Sequence, residues 1–216
     1  AIIGPTGTGK TCSATAYSQS HPGTVLFCMT AVTGNALRAL LLELADALGV
    51  HVPEHRPIAE IQRRMFSYDL SDRLLIIDEA QNLKHYAFRE VLNLHEFARL
   101  PIVFCGNDQL LKRVSVETGA FAQISDRIAL REEIKGITEA DCDALAAPFG
   151  VDGADAQRLI RALGTRFRAR ALIRVLTEAR DRAGKTIKGQ HIREAVELFP
   201  QYRAAIELKA VRGALT

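Results

Sequence analysis

Four short apolar blocks punctuate the chain up to residue 107: "AII" (1–3), "TVLFCMT" (Thr24–Thr30), "RLLIIDEA" (Arg73–Ala80) and "LPIVFCGN" (Leu100–Asn107). Each is continuous rather than alternating, the pattern of a parallel strand buried on both faces. The stretches between them carry helical signals. They predict helices from Gly9 to about Gln19, over Ala36–Gly49, where a glycine closes the run, and over Tyr86–Leu100. This alternation predicts an α/β fold with a parallel sheet sandwiched by helices.

After Arg131 the pattern changes. Residues 138–199 contain no convincing strand and read as three or four helices. "TEADCDALAAPFG" opens with Thr138 and has Asp141 three residues on, a capping signal. "DAQRLIRALG" is expected to end at Gly164, "RFRARALIRVLTEARDRAG" at Gly184, and "KGQHIREAVELFP" at Pro200. The tail beyond Pro200 reads as one more helix or a frayed end. The expected domains are therefore 1–134, built on the sheet, and 135–216, a small all-helical module. Neither contains low-complexity sequence or an internal repeat.

Composition narrows the class. No stretch approaches the ~18 consecutive apolar residues of a membrane span. The N-terminal apolar run is three residues, too short for a signal peptide. Cys12, Cys28, Cys105 and Cys142 form no CxxC pair, so reduced thiols in a cytoplasmic protein are expected. The histidines make no metal pattern; His51 and His55 are separated by Pro53. The net charge of +3 is uneven: 13 Lys and Arg against 15 Asp and Glu through residue 134, then 15 against 10. A basic second part fits an anionic partner, and also fits a solvated helical surface.

Gly4-Pro5-Thr6-Gly7-Thr8-Gly9-Lys10-Thr11 matches G-x-x-x-x-G-K-[ST] at every fixed position, between a strand and a helix. Glycines let main-chain N–H groups turn toward phosphate oxygens, and the first turn of the following helix, which includes Cys12, adds its positive dipole end. Lys10 supplies a cation for the β- and γ-phosphates of ATP, and Thr11 a hydroxyl for Mg²⁺. Asp78, ending the apolar block "LLIID", is placed to hold the metal. Glu79 beside it can orient or deprotonate a water. Asn107 ends the next strand; its amide can reach the γ-phosphate or the water, although Asn before Asp is also a turn signal.

Glycine loop, "IIDEA", strand-terminal Asn and helical module together resemble the AAA+ ATPases over essentially the whole chain. "LLIIDEAQNL", "IVFCGN", "FAQISDRI" (Phe121–Ile128) and "RALIRVLTEA" (Arg170–Ala179) are most similar to the transposition ATPases typified by the B protein of phage Mu. The resemblance implies that Arg127 faces a neighbouring subunit's nucleotide and acts in trans, with Arg113 as runner-up. It also implies that Arg170 of the helical lid contacts the nucleotide, with Arg168 as alternative. Arg166, Arg170 and Arg174 are expected on one helical face, which favours a phosphate or carboxylate opposite it.

The resemblance further implies ATP-dependent assembly into filaments or rings on double-stranded DNA, recruitment of a transposase, and hydrolysis that drives disassembly. DNA contacts would be to phosphates and without sequence choice, from Thr33, Asn35 and Arg38 and from Arg63 and Arg64. No membrane contact is expected. The alternative is an AAA+ ATPase of secretion or signalling type acting on a protein partner. AAA+ proteins carry adenine-pocket residues upstream of the loop, so the resemblance also implies chain before Ala1.

Overall fold

The computed structural model describes residues 1–114 and 122–204, with Asn35, Val114, Ala122 and Gln123 described in their main chain alone. Phe121 of the "FAQISDRI" segment and the tail from 205 lie outside the described residues. The elements run β1 (Ile2–Ile3), α1 (Lys10–Ser20), β2 (Thr24–Cys28), α2 (Leu37–Ala47), α3 (Ile58–Phe66), β3 (Leu74–Asp78), α4 (His85–Ala98) and β4 (Ile102–Gly106). They continue with α5 (Asp108–Val114), α6 (Ala122–Asp126), β5 (Glu132–Glu133), α7 (Glu139–Ala146), α8 (Ala154–Ala183) and α9 (Gly189–Glu197).

The five strands form one parallel sheet in the order β2-β3-β4-β1-β5. β3 shows why its sequence is apolar throughout. Leu75 and Ile77 enter the large core with Leu40, Leu44, Ile61 and Phe88, while Ile76 enters a smaller one with Ala14 and Cys105. Both faces are covered, so no polar alternation is tolerated. The parallel order brings the carboxyl ends of β1, β3 and β4 together, where ligand-binding groups of open α/β sheets gather.

Four elements have no counterpart in the sequence reading: α3, the short helices α5 and α6, and β5. α3 buries Ile61 and Met65; its nine residues lie just after Pro53 and Pro57, which disguise it as loop. β5 is two exposed glutamates joined to β1 by main-chain bonds, including Glu132 N–H to Ala1 O at 2.8 Å. A strand held by its backbone alone leaves no apolar block to read.

The chain divides into two compact units: Ala1–Pro5 with Lys10–Glu133, and Thr6–Gly9 with the chain from Ile134 onward. In the helical unit the expected cap is present: Thr138 Oγ1 accepts the Asp141 N–H and Asp141 Oδ2 accepts the Thr138 N–H. Gly164 does not end a helix. α8 continues past it, and a Cβ there would stand 2.2 Å from Cys142 Sγ, so the glycine serves close packing. The helical course breaks instead at Arg168 (φ 73°, ψ 178°). Arg166 therefore precedes the break and Arg170 and Arg174 follow it. The expected single arginine face across all three is corrected by that interruption. Among the described residues, no helix is long and apolar enough to cross a membrane.

Candidate functional site

The glycine loop leaves β1 with a main-chain bond from Gly4 N–H to Gly106 O (3.1 Å), which ties it to the end of β4. Gly7 (φ 86°) and Gly9 (φ 94°) adopt conformations that other residues resist, which is why those positions are glycine. Lys10 opens α1 and its ammonium donates to Gly4 O (2.7 Å) and Pro5 O (3.0 Å). Partial burial lowers the Lys10 pKa from its ordinary 10.5, against the pull of Asp78 and Glu79. Cys12 is exposed on the first turn of the helix.

Thr11 Oγ1 donates to Asp78 Oδ2 at 2.6 Å, and this bond joins the loop to the acidic strand end. Asp78 is 2% exposed. Its other oxygen accepts the Glu79 N–H (2.9 Å), and its carbonyl accepts the Met29 N–H. A hydroxyl and a carboxylate side by side are hard oxygen donors of the kind Mg²⁺ takes when phosphates complete its shell. Among the described residues no group of three or more His, Cys, Asp or Glu is placed to hold a metal by itself. A phosphate-borne ion suits that limited donor set.

Glu79 turns the chain through a left-handed conformation (φ 55°, ψ 35°) into the 3-10 turn Ala80–Asn82. Asn82 Nδ2 donates to Met29 O (3.0 Å), and the turn lies so close to the segment between β2 and α2 that a Cβ on Gly34 would fall 2.1 Å from Asn82 O. Gln81, 8% exposed, donates through Nε2 to Glu79 Oε2 and accepts the Asn107 N–H at Oε1 (3.3 Å). Asn107 Oδ1 meanwhile accepts the Gln109 N–H (2.9 Å), so its side chain starts α5. Sequence reasoning passed over Gln81. The available signal was a buried-type amide two residues beyond the acidic pair.

The arginines separate by what holds them. Arg127, just past α6, pairs with Glu96 at 3.1 Å and donates to Asn93 Oδ1 at 3.4 Å; its side chain stays 46% exposed. Arg113 donates to Leu83 O (2.6 Å) and so is committed to its own unit's main chain. In the helical unit, Arg168 donates to Thr6 O (3.3 Å) and the Arg170 N–H to Gly7 O (3.4 Å). Arg158, Arg161, Arg182, Arg193 and Arg203 pair with carboxylates of that same unit. Arg174 stacks over Phe199, 4.7 Å from the ring centre. Much of the basic surplus is thus engaged internally.

Of the residues expected to meet DNA, Thr33 is 7% exposed and hydrogen-bonds Thr30 Oγ1 (2.9 Å). Arg38 donates to the carbonyls of Arg56 (2.7 Å) and Glu54, bracing the loop before α3. Asn35 is described in its main chain alone. Arg63 and Arg64 are exposed at the end of α3, and Arg64 borders a surface hollow of about 250 Å³ with His51, Arg56 and Glu60.

Comparison with known proteins places this geometry. Residues 1–114 match the family model described as AAA domain. The chain is 28% identical over 199 residues to the ATP-dependent target DNA activator B of Escherichia phage Mu, covering 89% of this chain and 62% of that protein. It is 26% identical over 154 residues to the Mu-like prophage FluMu DNA transposition protein B of Haemophilus influenzae, covering 70% of this chain and 53% of that one. The chain thus spans less than two thirds of these relatives. The ADP form of the ORC2 protein of Aeropyrum pernix superposes with a TM-score of 0.65 at 15% identity, over 91% of this chain and 61% of that one; it is a likeness of fold. With the family model covering more than half its length, the chain belongs to the AAA domain family.

Proposed function

We propose that the protein is an ATP-dependent DNA-binding ATPase of transposition. ATP and Mg²⁺ bind at the loop of Gly4, Pro5, Thr6, Gly7, Thr8, Gly9, Lys10, Thr11 and Cys12. The bound protein associates with further copies on double-stranded DNA, as a filament or ring, and recruits a transposase. Hydrolysis reverses the assembly. The observation that carries this reading is the 2.6 Å bond between Thr11 and Asp78, with Glu79 next in the chain and Lys10 beside it. The names of the Mu and Haemophilus relatives, a target DNA activator and a DNA transposition protein, suggest the DNA and transposition part.

In this reading Lys10 meets the β- and γ-phosphates and Thr11 and Asp78 hold Mg²⁺. The ion, when bound, neutralises charge on the phosphate oxygens. Glu79 orients the attacking water and accepts its proton. Asn107 contributes from the end of β4, and Arg127 from a neighbouring copy, freed from Glu96. Arg170 meets the nucleotide through the helical unit. Arg63 and Arg64 are the DNA contacts best supported, because both are exposed, while Thr33 and Arg38 are already engaged.

Filter binding to random-sequence duplex DNA tests the switch. Affinity is expected to require ATP and to fall steeply as salt rises. Equal affinity without nucleotide overturns it. Glu79→Gln is expected to keep ATP binding, lower turnover by roughly 10²–10⁴-fold and hold the assembly on DNA.

A further inference from the structure

Gln81 occupies a position that neither the glycine loop nor the acidic pair accounts for. It is nearly buried, and its two amide atoms face opposite kinds of partner. Nε2 donates to a Glu79 carboxylate oxygen, while Oε1 accepts the main-chain N–H of Asn107. A carboxylate cannot donate, so the amide can satisfy both contacts in one orientation alone. The strand end is built around it. A Cβ on Gly106 would lie 2.8 Å from Gln81 Oε1, so any larger residue there would push the amide off.

The bridge joins two ends of the sheet that otherwise touch the reaction separately. Glu79 follows β3, and Asn107 follows β4. A carboxylate that activates water has to be held at a fixed bearing to the reacting atoms. Its own main chain is already turned left-handed, away from the strand direction. We propose that Gln81 is a positioning residue: it holds the Glu79 carboxylate and fixes it relative to the main chain of Asn107, so that the water-activating group moves with the end of β4. This rests on the reading of Glu79 as the group that activates water.

The test is steady-state ATP turnover with Mg²⁺ and duplex DNA, in the wild type and in Gln81→Met, Gln81→Glu, Glu79→Gln and Glu79→Gln/Gln81→Met. Methionine keeps the length and removes both bonds. Glutamate keeps the acceptor facing Asn107 and loses the donor facing Glu79. Each Gln81 variant is expected to lower kcat about tenfold, the size of one charge-assisted hydrogen bond, with KM for ATP within about twofold. Retained binding of a fluorescent ATP analogue reports the folded fraction. In the Glu79→Gln background, Gln81→Met is expected to cost nothing more, because a residue acting through Glu79 has lost its target. Wild-type turnover in Glu79→Gln overturns both readings together. A dead Glu79→Gln with unchanged kcat in the Gln81 variants overturns the positioning role alone. So does a further tenfold loss in the double variant, which marks a general structural defect.

Discussion

The two units use charge in opposite ways. In the sheet unit, Lys10, Asp78 and Glu79 sit together and partly buried, held by main-chain groups, a hydroxyl and an amide. No described ion pair cancels Lys10. In the helical unit, arginines and carboxylates meet each other on the surface, as in Arg161 with Asp143 and Arg193 with Asp155. Positive φ divides the same way. Glu79 occupies a left-handed conformation that non-glycine residues tolerate at modest cost, and bonds to Asp78 and Asn82 hold it. Arg168 occupies a region that is essentially glycine's own, at about 1–3 kcal/mol. The first unit pairs surface charges as well, as in Arg127 with Glu96, but among the described residues keeps Lys10, Asp78 and Glu79 out of such pairs. The second spends charge and strain on its own shape.

The sharpest break in this contrast is Lys10→Ala. If Lys10 serves a ligand, its loss lowers ATP affinity by roughly two to three orders of magnitude and leaves the melting temperature unchanged or raised. The sign follows from burial. The folded chain lowers the Lys10 pKa below 10.5, so it disfavours the charged form, and carrying that charge costs stability at neutral pH. The same shift predicts that ATP affinity of the wild type declines on the alkaline side before pH reaches 10.5. Titration with a fluorescent nucleotide across pH checks both. A melting temperature that drops sharply with Lys10→Ala would assign the residue to the fold instead.

Next in size is Gly164→Ala. The added methyl would meet Cys142 Sγ at 2.2 Å between two buried segments, with Ile137 and Leu172 close by. Overpacking of this kind costs about 1–3 kcal/mol. Thermal unfolding should show the loss, and Cys142→Ala in the same chain should restore part of it. Nucleotide affinity is expected to change far less than in Lys10→Ala. Equal losses of affinity would collapse the distinction between the units.

Arg168 gives a smaller effect with a sign that discriminates. Arg168→Gly removes the backbone strain and loses the bond to Thr6 O; Arg168→Ala loses the bond and keeps the strain. Relief of about 1–3 kcal/mol outweighs the roughly 0.4–1 kcal/mol that glycine adds in unfolded-chain entropy. Glycine should therefore melt above the wild type and alanine below it. Alanine at or above glycine would mean that the break carries no strain.

These contrasts explain what could be read in advance. The sheet unit was legible because its strands are apolar on both faces and its candidate ligand residues come at fixed spacing: Gly4, Lys10 and Thr11 around the glycine loop, then Asp78 and Glu79 at a strand end. β5 was hidden, since the bonds holding Glu132 and Glu133 to β1 come from the backbone. α8 was misread for a related reason. Gly164 looks like a helix terminator, yet the space beside Cys142 requires it, and nothing in "RFRAR" marks Arg168 as the break. Gln81 escaped because an amide acquires its meaning from what β4 sets opposite it. Local chemistry was readable, and contacts across the sheet or between helices were not.

The mildest perturbation is acid. Hydrogen bonds from Arg161 hold the Asp143 carboxyl below its ordinary 3.8, those from Arg193 do the same for Asp155, and the Thr138 main-chain bond does so for Asp141. A lowered folded value means that each contributes stability above about 3.8, and that this is lost as pH falls through the lowered value. All three groups face solvent, so the contributions are small, and those from ion pairs are screened by salt. Amide protection in α7 and the first part of α8, taken relative to the intrinsic exchange rate at each pH, should therefore fall below about pH 4. Asp143→Asn should remove the part of that response that added salt suppresses. Asp141→Asn should remove a part that salt leaves alone, since the carboxylate's partner there is a neutral main-chain N–H. If salt suppressed both parts equally, the capping bond would be acting as a charge pair, and the helical unit's surface would be held by electrostatics alone.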